Sequence, residues 1–294
     1  MLDREEYVEQ SYFFEAIGIR ILDQVPLQDI LQQVREEILS TTNLPLAIDF
    51  LLAELKHHGV LAPAMQRLAH YFTPFQTFIM RQSEDERGRF DFRIALEVLR
   101  HEAAYRASGA QAQGMFLYQF ETICRNRLPY DRGLTAMAQD VCYNDDWRHW
   151  ILTLRRQLGT VDLADLIYVR SQYYVDRRQR EAEQRNMELT SRDLPSSVLF
   201  GPKEGKIALA HRRKDPLYLF ASLRRHLGYP AVPRRKIADE SAMLVPQLMR
   251  RVEQLETRVK LLEEDQRGGF DLTKFYEKSA GKIRAPEAPD YTGG

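Results

Sequence analysis

The sequence predicts a mainly α-helical protein in several parts, and three observations carry that reading. Apolar residues recur at intervals of three and four from residue 4 to about 176, the spacing that gathers them on one side of a helix. The breaks between these stretches hold helix punctuation. Pro26 and Pro45 stand at helix starts and Gly59 just past an end, while Thr73-Pro74-Phe75-Gln76 joins a capping Thr, a first-turn Pro and a Gln able to reach back. Residues 245–265, finally, alternate Val and Leu in strict four-three order. The predicted architecture is a multi-helix, bundle-like N-terminal domain over 1–192, a small basic β-hairpin plus helix module over 196–229, a basic linker over 230–241, a C-terminal parallel coiled coil over 242–267 and a flexible tail over 268–294.

Each part follows from its residues. Phe14, Ile17 and Ile21 open the helical series, and Leu27, Ile30, Leu31, Val34 and Ile38 continue it. Leu46, Phe50 and Leu55 mark an almost wholly apolar helix expected at the centre. The helix from Phe92 and the one after it, with Met115, Phe116, Phe120, Ile123 and Cys124, are apolar over so wide an arc that neighbours must cover them on several sides. In all, about nine or ten helices are predicted before residue 195. Residues 176–186 contain no large apolar residue, which suggests a domain boundary. Beyond Pro195, Val198-Leu199-Phe200 and the stretch from Lys206 to Ala210 read as two strands about a Gly-bounded turn, followed by a helix from Pro216 that Gly228 ends.

In the coiled coil Val245, Val252 and Val259 fall at one core position of the heptad, and Leu248, Leu255 and Leu262 at the other. A parallel partner would place Arg251 opposite Glu256 and Arg258 opposite Glu263, whereas an antiparallel one would oppose like charges. Self-association as a parallel dimer or trimer is the expectation.

Composition narrows the function classes. With 294 residues, 44% hydrophobic and 29% charged, and only 15 Gly and 13 Pro, the chain is neither collagen-like nor of low complexity nor mostly disordered. Its 42 Lys and Arg balance 42 Asp and Glu, but the charge is sorted by segment. Residues 1–60 carry four bases and eleven acids, net −7, while residues 196–236 carry ten bases and two acids, net +8. The acidic start, and the lack of any uncharged apolar run near about 18 residues, suggest a cytoplasmic protein with no membrane partner. Cys124 and Cys142, each beside apolar neighbours, are expected to be reduced thiols shielded from solvent.

Candidate chemistry is sparse. Gly201-Pro202-Lys203-Glu204-Gly205-Lys206 has one residue too few between its glycines for a phosphate-binding loop, and Ile207 where that loop needs Ser or Thr, so a basic hairpin turn is predicted. Glu54 and His57, spaced like ligands of a di-iron helical bundle, could combine with Asp146 and His149 into a ferritin-like carboxylate enzyme. Glu97 and His101 could extend that set, or act as an oriented general base. The ligand set is incomplete, so no metal or cofactor is predicted and the enzyme is kept as the alternative reading. Tyr71, Phe72, Phe75, Phe78, Trp147 and Trp150 are expected in the core. Lys206, Arg212, Arg213, Lys214, Arg224 and Arg225, with Tyr218 and Tyr229 near, form the leading candidate: a patch for nucleic acid or an acidic protein, unless it docks on the acidic N-terminal region. A non-enzymatic, oligomeric binding or scaffold protein is the function these residues suggest.

Overall fold

The computed structural model describes residues 2–85, 90–157, 159–185 and 194–234, and these hold thirteen α-helices and no strand beyond one isolated bridge. Contacts group the chain into Met1–Arg235 and Lys236–Gly294. The heptads of 245–265 and the tail fall in the second unit and lie outside the described residues.

Helix α1 (Arg4–Arg20) runs into a short 3-10 turn at Ile21–Asp23; α2 (Leu27–Glu37) then starts directly after Pro26, and α3 (Leu44–His58) has Pro45 in its first turn. Gly59 ends α3 at φ +71°, a left-handed conformation that suits glycine. The apolar face of α3 is Leu44, Ala47, Ile48, Leu51, Leu52 and Leu55. Leu46, expected at the centre, instead points outward and is 71% exposed, because the buried stripe begins two residues earlier at Leu44.

After α4 (Ala62–Arg67), α5 (Pro74–Glu84) begins with the predicted reciprocal cap: Gln76 N–H donates to Thr73 Oγ1 (3.2 Å), and Thr73 N–H donates to Gln76 Oε1 (3.0 Å). Helix α6 (Phe92–Ala107) packs along α1, fastened by Ser11 Oγ donating to the Arg100 carbonyl (3.2 Å) and by the Arg100–Glu15 ion pair (3.2 Å). Helices α7 (Ala112–Arg125), α8 (Tyr130–Ala138) and α9 (Asp145–Gln157) follow. On α9, Trp147, Trp150, Ile151 and Leu154 recur at three and four, and that face is buried. Both tryptophans pack on Phe116 of α7. The six aromatics assigned to the core are all there, none more than 7% exposed. Burying one large apolar side chain in such a core contributes about 1.5–3 kcal/mol.

Helices α10 (Leu163–Val169) and α11 (Gln172–Gln184) bring the count among the described residues before 195 to eleven, slightly above expectation. The chain then returns. Phe200 bridges Ser171 in parallel, Gln172 N–H donates to the Phe200 carbonyl (2.9 Å), and the Phe200 ring packs edge-on against both Trp147 and Trp150.

The predicted β-hairpin is not formed: α12 (Pro202–Ala210) and α13 (Pro216–Leu227) make a helical hairpin. Gly201 and Pro202, read as a turn, are the N-cap and first residue of α12, where the N–H that proline lacks would have no helical partner anyway. Gly205, read as the far side of the turn, lets α12 approach α11. A Cβ there would stand 2.2 Å from Ser171 Oγ and 2.8 Å from Tyr173 Cβ. With α12 resting on α10 and α11, and α13 on α7, residues 202–227 belong to the same compact unit as the helices before residue 192.

Candidate polyanion interface

The α12–α13 hairpin is antiparallel and held at both ends by histidines. His226 Nε2, near the end of α13, lies 2.9 Å from Glu204 Oε1 near the start of α12. His211, just past α12, bonds the Ile207 carbonyl through Nδ1 (2.8 Å) and meets Ser222 Oγ through Nε2 (3.3 Å). The connecting turn takes a left-handed residue at Arg213 (φ +57°). Asp162 secures it by accepting from Arg213 N–H (2.7 Å) while its other oxygen caps α10 through Ala164 N–H (3.0 Å). Asp215 caps α13 through Leu217 N–H (2.8 Å).

The basic residues predicted from sequence all lie on this hairpin, but not in one cluster. Arg212, Arg213 and Lys214 occupy the turn, and Arg224 and Arg225 the last turn of α13. Ten residues of rise separate Lys214 from Arg224, about 15 Å. Arg212 is neutralised by Asp165 and its guanidinium sits 5.7 Å from the Tyr168 ring centre. Lys206 is exposed with its ammonium 5.5 Å from the Tyr173 ring centre. Arg213, Lys214 and Arg225 are exposed, Arg224 half-buried. Tyr218 is 64% exposed and open to stacking, whereas Tyr229 is buried, its hydroxyl donating to Glu121 (2.8 Å) and the Phe220 carbonyl (3.0 Å).

Asp162 and Asp165 at α10 meet the turn of the hairpin, and several acidic residues of the N-terminal region are paired within that region. Glu6 accepts from Asn43 N–H (2.7 Å) and the Tyr71 hydroxyl (2.7 Å), Glu9 from Leu39 N–H (2.9 Å), and Glu37 and Asp49 pair with Arg20 and Arg35.

The alternative metal set does not assemble. Glu54 pairs with Arg67 (2.7 Å) and His58 (3.5 Å), while His57, Asp146 and His149 are exposed. Among the described residues no group of three or more His, Cys, Asp or Glu side chains is placed to hold a metal ion. Glu97 is exposed, and His101 lies against Arg100 Nη2 at 2.8 Å. Burial, and then the Arg100 charge, lower the His101 pKa. Cys124 and Cys142 are free thiols and half-buried; burial pushes Cys124 up to about 11, and burial reinforced by Asp140 raises Cys142. Neither thiol is poised as a nucleophile.

A charged network inside the helical unit escaped the sequence reading. Arg106 donates to Glu102 Oε1 (2.9 Å) and to Asp140, and all three side chains are fully buried. Gln119 Nε2 donates to both carboxylates (2.8 and 3.1 Å), and Gln119 Oε1 accepts from the Tyr143 hydroxyl (2.8 Å). Burial holds the Glu102 carboxyl above the ordinary range, Arg106 opposing and Asp140 reinforcing. Burial acts on Asp140 in the same sense, but the Arg106 charge and its hydrogen bonds outweigh it and leave Asp140 below the ordinary range. With a protonated Glu102 the three groups sum to zero charge, the state a dry interior favours.

Comparison with protein families, curated proteins and solved structures finds no match. No helix among the described residues is long and apolar enough to cross a membrane.

Proposed function

We propose that the chain is a non-enzymatic, self-associating binding protein that holds an extended polyanion, most plainly nucleic acid, along the α12–α13 hairpin. The observation that carries this reading is that Lys203, Lys206, Arg213, Lys214 and Arg225 are exposed there with no carboxylate partner among the described residues, while the nearby Arg212 has one. A spread of about 15 Å between the two ends suits a charged polymer rather than a single small anion, since each nucleic acid strand presents a phosphate about every 3.4 Å along a duplex. Arginine forks hold phosphates well, and no recognition-helix pattern that would read bases stands among these residues, so sequence preference should be slight.

Self-association enters through the heptads of 245–265, whose Val and Leu seam gains stability only by pairing. Two or three hairpins on one stalk would raise the avidity of a weak patch with no change in the patch itself. Passing the full chain over immobilised duplex DNA, single-stranded DNA and RNA at low ionic strength tests the reading. Retention on these polymers with release by salt is expected, and passage through all three columns without retention would overturn it.

A further inference from the structure

A groove of about 680 Å³ opens between α5 and α8, remote in sequence from the cationic hairpin, and its walls are two helical stripes. Along α5, Thr77 and Arg81, and Phe78 and Gln82, stand four residues apart on one side of the helix, and Asp131 and Thr135 of α8 with Gln139 just past its end continue at four-residue spacing beside Arg132. Arg155 of α9 closes one side. The volume is within the range of small-molecule sites.

The charge in the groove is positive and incompletely answered. Arg81 donates to the Gln66 side-chain oxygen and has no carboxylate at ion-pair distance among the described residues; Glu84, one turn on, is committed to the Leu61 and Ala62 amides. Arg132 is exposed, with no ion-pair partner among the described residues. Arg155 reaches Asp131 (3.3 Å) and Thr135 Oγ1 (2.8 Å), but Asp131 is 80% exposed and is the lone carboxylate of the lining. Three guanidinium groups against one carboxylate match a dianion.

A second observation is independent of charge. Gln82 and Thr77 line the same groove at 8% and 7% exposure, and neither side chain has a hydrogen-bond partner among the described residues. Their polar atoms are not sealed from solvent, so an amide and a hydroxyl in the groove wall, both uncommitted, are available to a polar ligand.

We infer that this groove is a binding site for a small organic phosphate, its phosphoryl group held by Arg81, Arg132 and Arg155 and its hydroxylated body by Gln82 and Thr77. Guanidinium forks fit phosphate oxygens two at a time, and an amide with a hydroxyl offers both donors and acceptors to a sugar. The site is separate from the hairpin and does not depend on the polyanion reading.

Calorimetric titration of the full chain with AMP, glucose 6-phosphate and inorganic phosphate tests the inference. Saturable binding of at least one organic phosphate, tighter than inorganic phosphate, is expected. Arg132→Gln, an exposed change that leaves the fold intact, should weaken it about tenfold or more. Gln82→Met should weaken it as well without lowering the melting temperature, and Lys214→Glu on the hairpin should leave it unchanged. No saturable binding, equal affinity for all three ligands, binding indifferent to Arg132→Gln or Gln82→Met, or binding abolished by Lys214→Glu would each overturn the assignment.

Discussion

Arg106 in α6 and Asp140, just past α8, form a fully buried ion pair across 34 residues of sequence, and Gln119 of α7 donates to the same carboxylate. The Asp140 carboxylate thus ties together three segments of the helical unit, α6 through Arg106, α7 through Gln119 and the stretch just past α8. Asp140→Asn leaves Arg106 with Glu102 alone, a carboxyl that burial holds in its protonated form and that must ionise to answer the charge, so the change should cost up to about 3–5 kcal/mol. Urea unfolding of the wild type and the variant measures this, and a difference under about 1 kcal/mol would show that the pair contributes little.

Glu102 beside that pair should make stability fall with rising pH. Its folded pKa lies above the unfolded value, so its contribution is complete below the ordinary Glu range and is lost as pH climbs through the folded value. Asp140 has the opposite sign, its contribution being present above the ordinary Asp range and lost as pH falls through the depressed value. Glu102→Gln keeps the shape and cannot ionise. The melting temperature of this variant, relative to wild type, should therefore rise as pH climbs above the ordinary Glu range of about 4, and a pH-independent difference would contradict the assignment.

Gly205 should be intolerant of even one methyl group. The 2.2 Å and 2.6 Å approaches of a Cβ to Ser171 Oγ and Cβ force α12 off α11, because Ser171 is held by its bond to the Tyr168 carbonyl (2.6 Å) and caps α11. Gly205→Ala should cost about 1–3 kcal/mol, read by thermal unfolding, although alanine is the better helix former.

The same glycine shows why part of the fold could not be read from sequence. The Thr73–Gln76 cap, Pro26, Pro45 and Gly59 act within one or two turns of chain, and each stands where the sequence indicated. Gly201, Pro202 and Gly205 look identical in a turn and in a helix start followed by a close crossing; only Ser171, 34 positions upstream, distinguishes the two. Glu102 and Arg106, one turn apart, likewise resemble a surface ion pair until Asp140 arrives from elsewhere. The positive charge of the hairpin was legible as composition. Its division between the two ends of α13 follows from a helix the residues did indicate; what they did not show is that 202–210, which carries Lys203 and Lys206, is helical as well.

Leu255→Asp should reduce the chain to a monomer, because it places a charge in the middle of the heptad seam. Sedimentation equilibrium reads the mass and circular dichroism the retained helix. A mass unchanged from wild type would place the main interface elsewhere.

The salt dependence of polyanion binding tests the central claim most directly. Fluorescence anisotropy of a labelled single-stranded oligonucleotide should report binding by the full chain whose affinity falls steeply with salt, to a similar degree for unrelated sequences. Lys214→Glu combined with Arg225→Glu, one change at each end of α13, should weaken it and flatten the logarithmic salt slope by about 0.7 for each phosphate no longer neutralised. A double variant with the wild-type affinity and slope, or a wild type with no binding at low salt, would contradict the account.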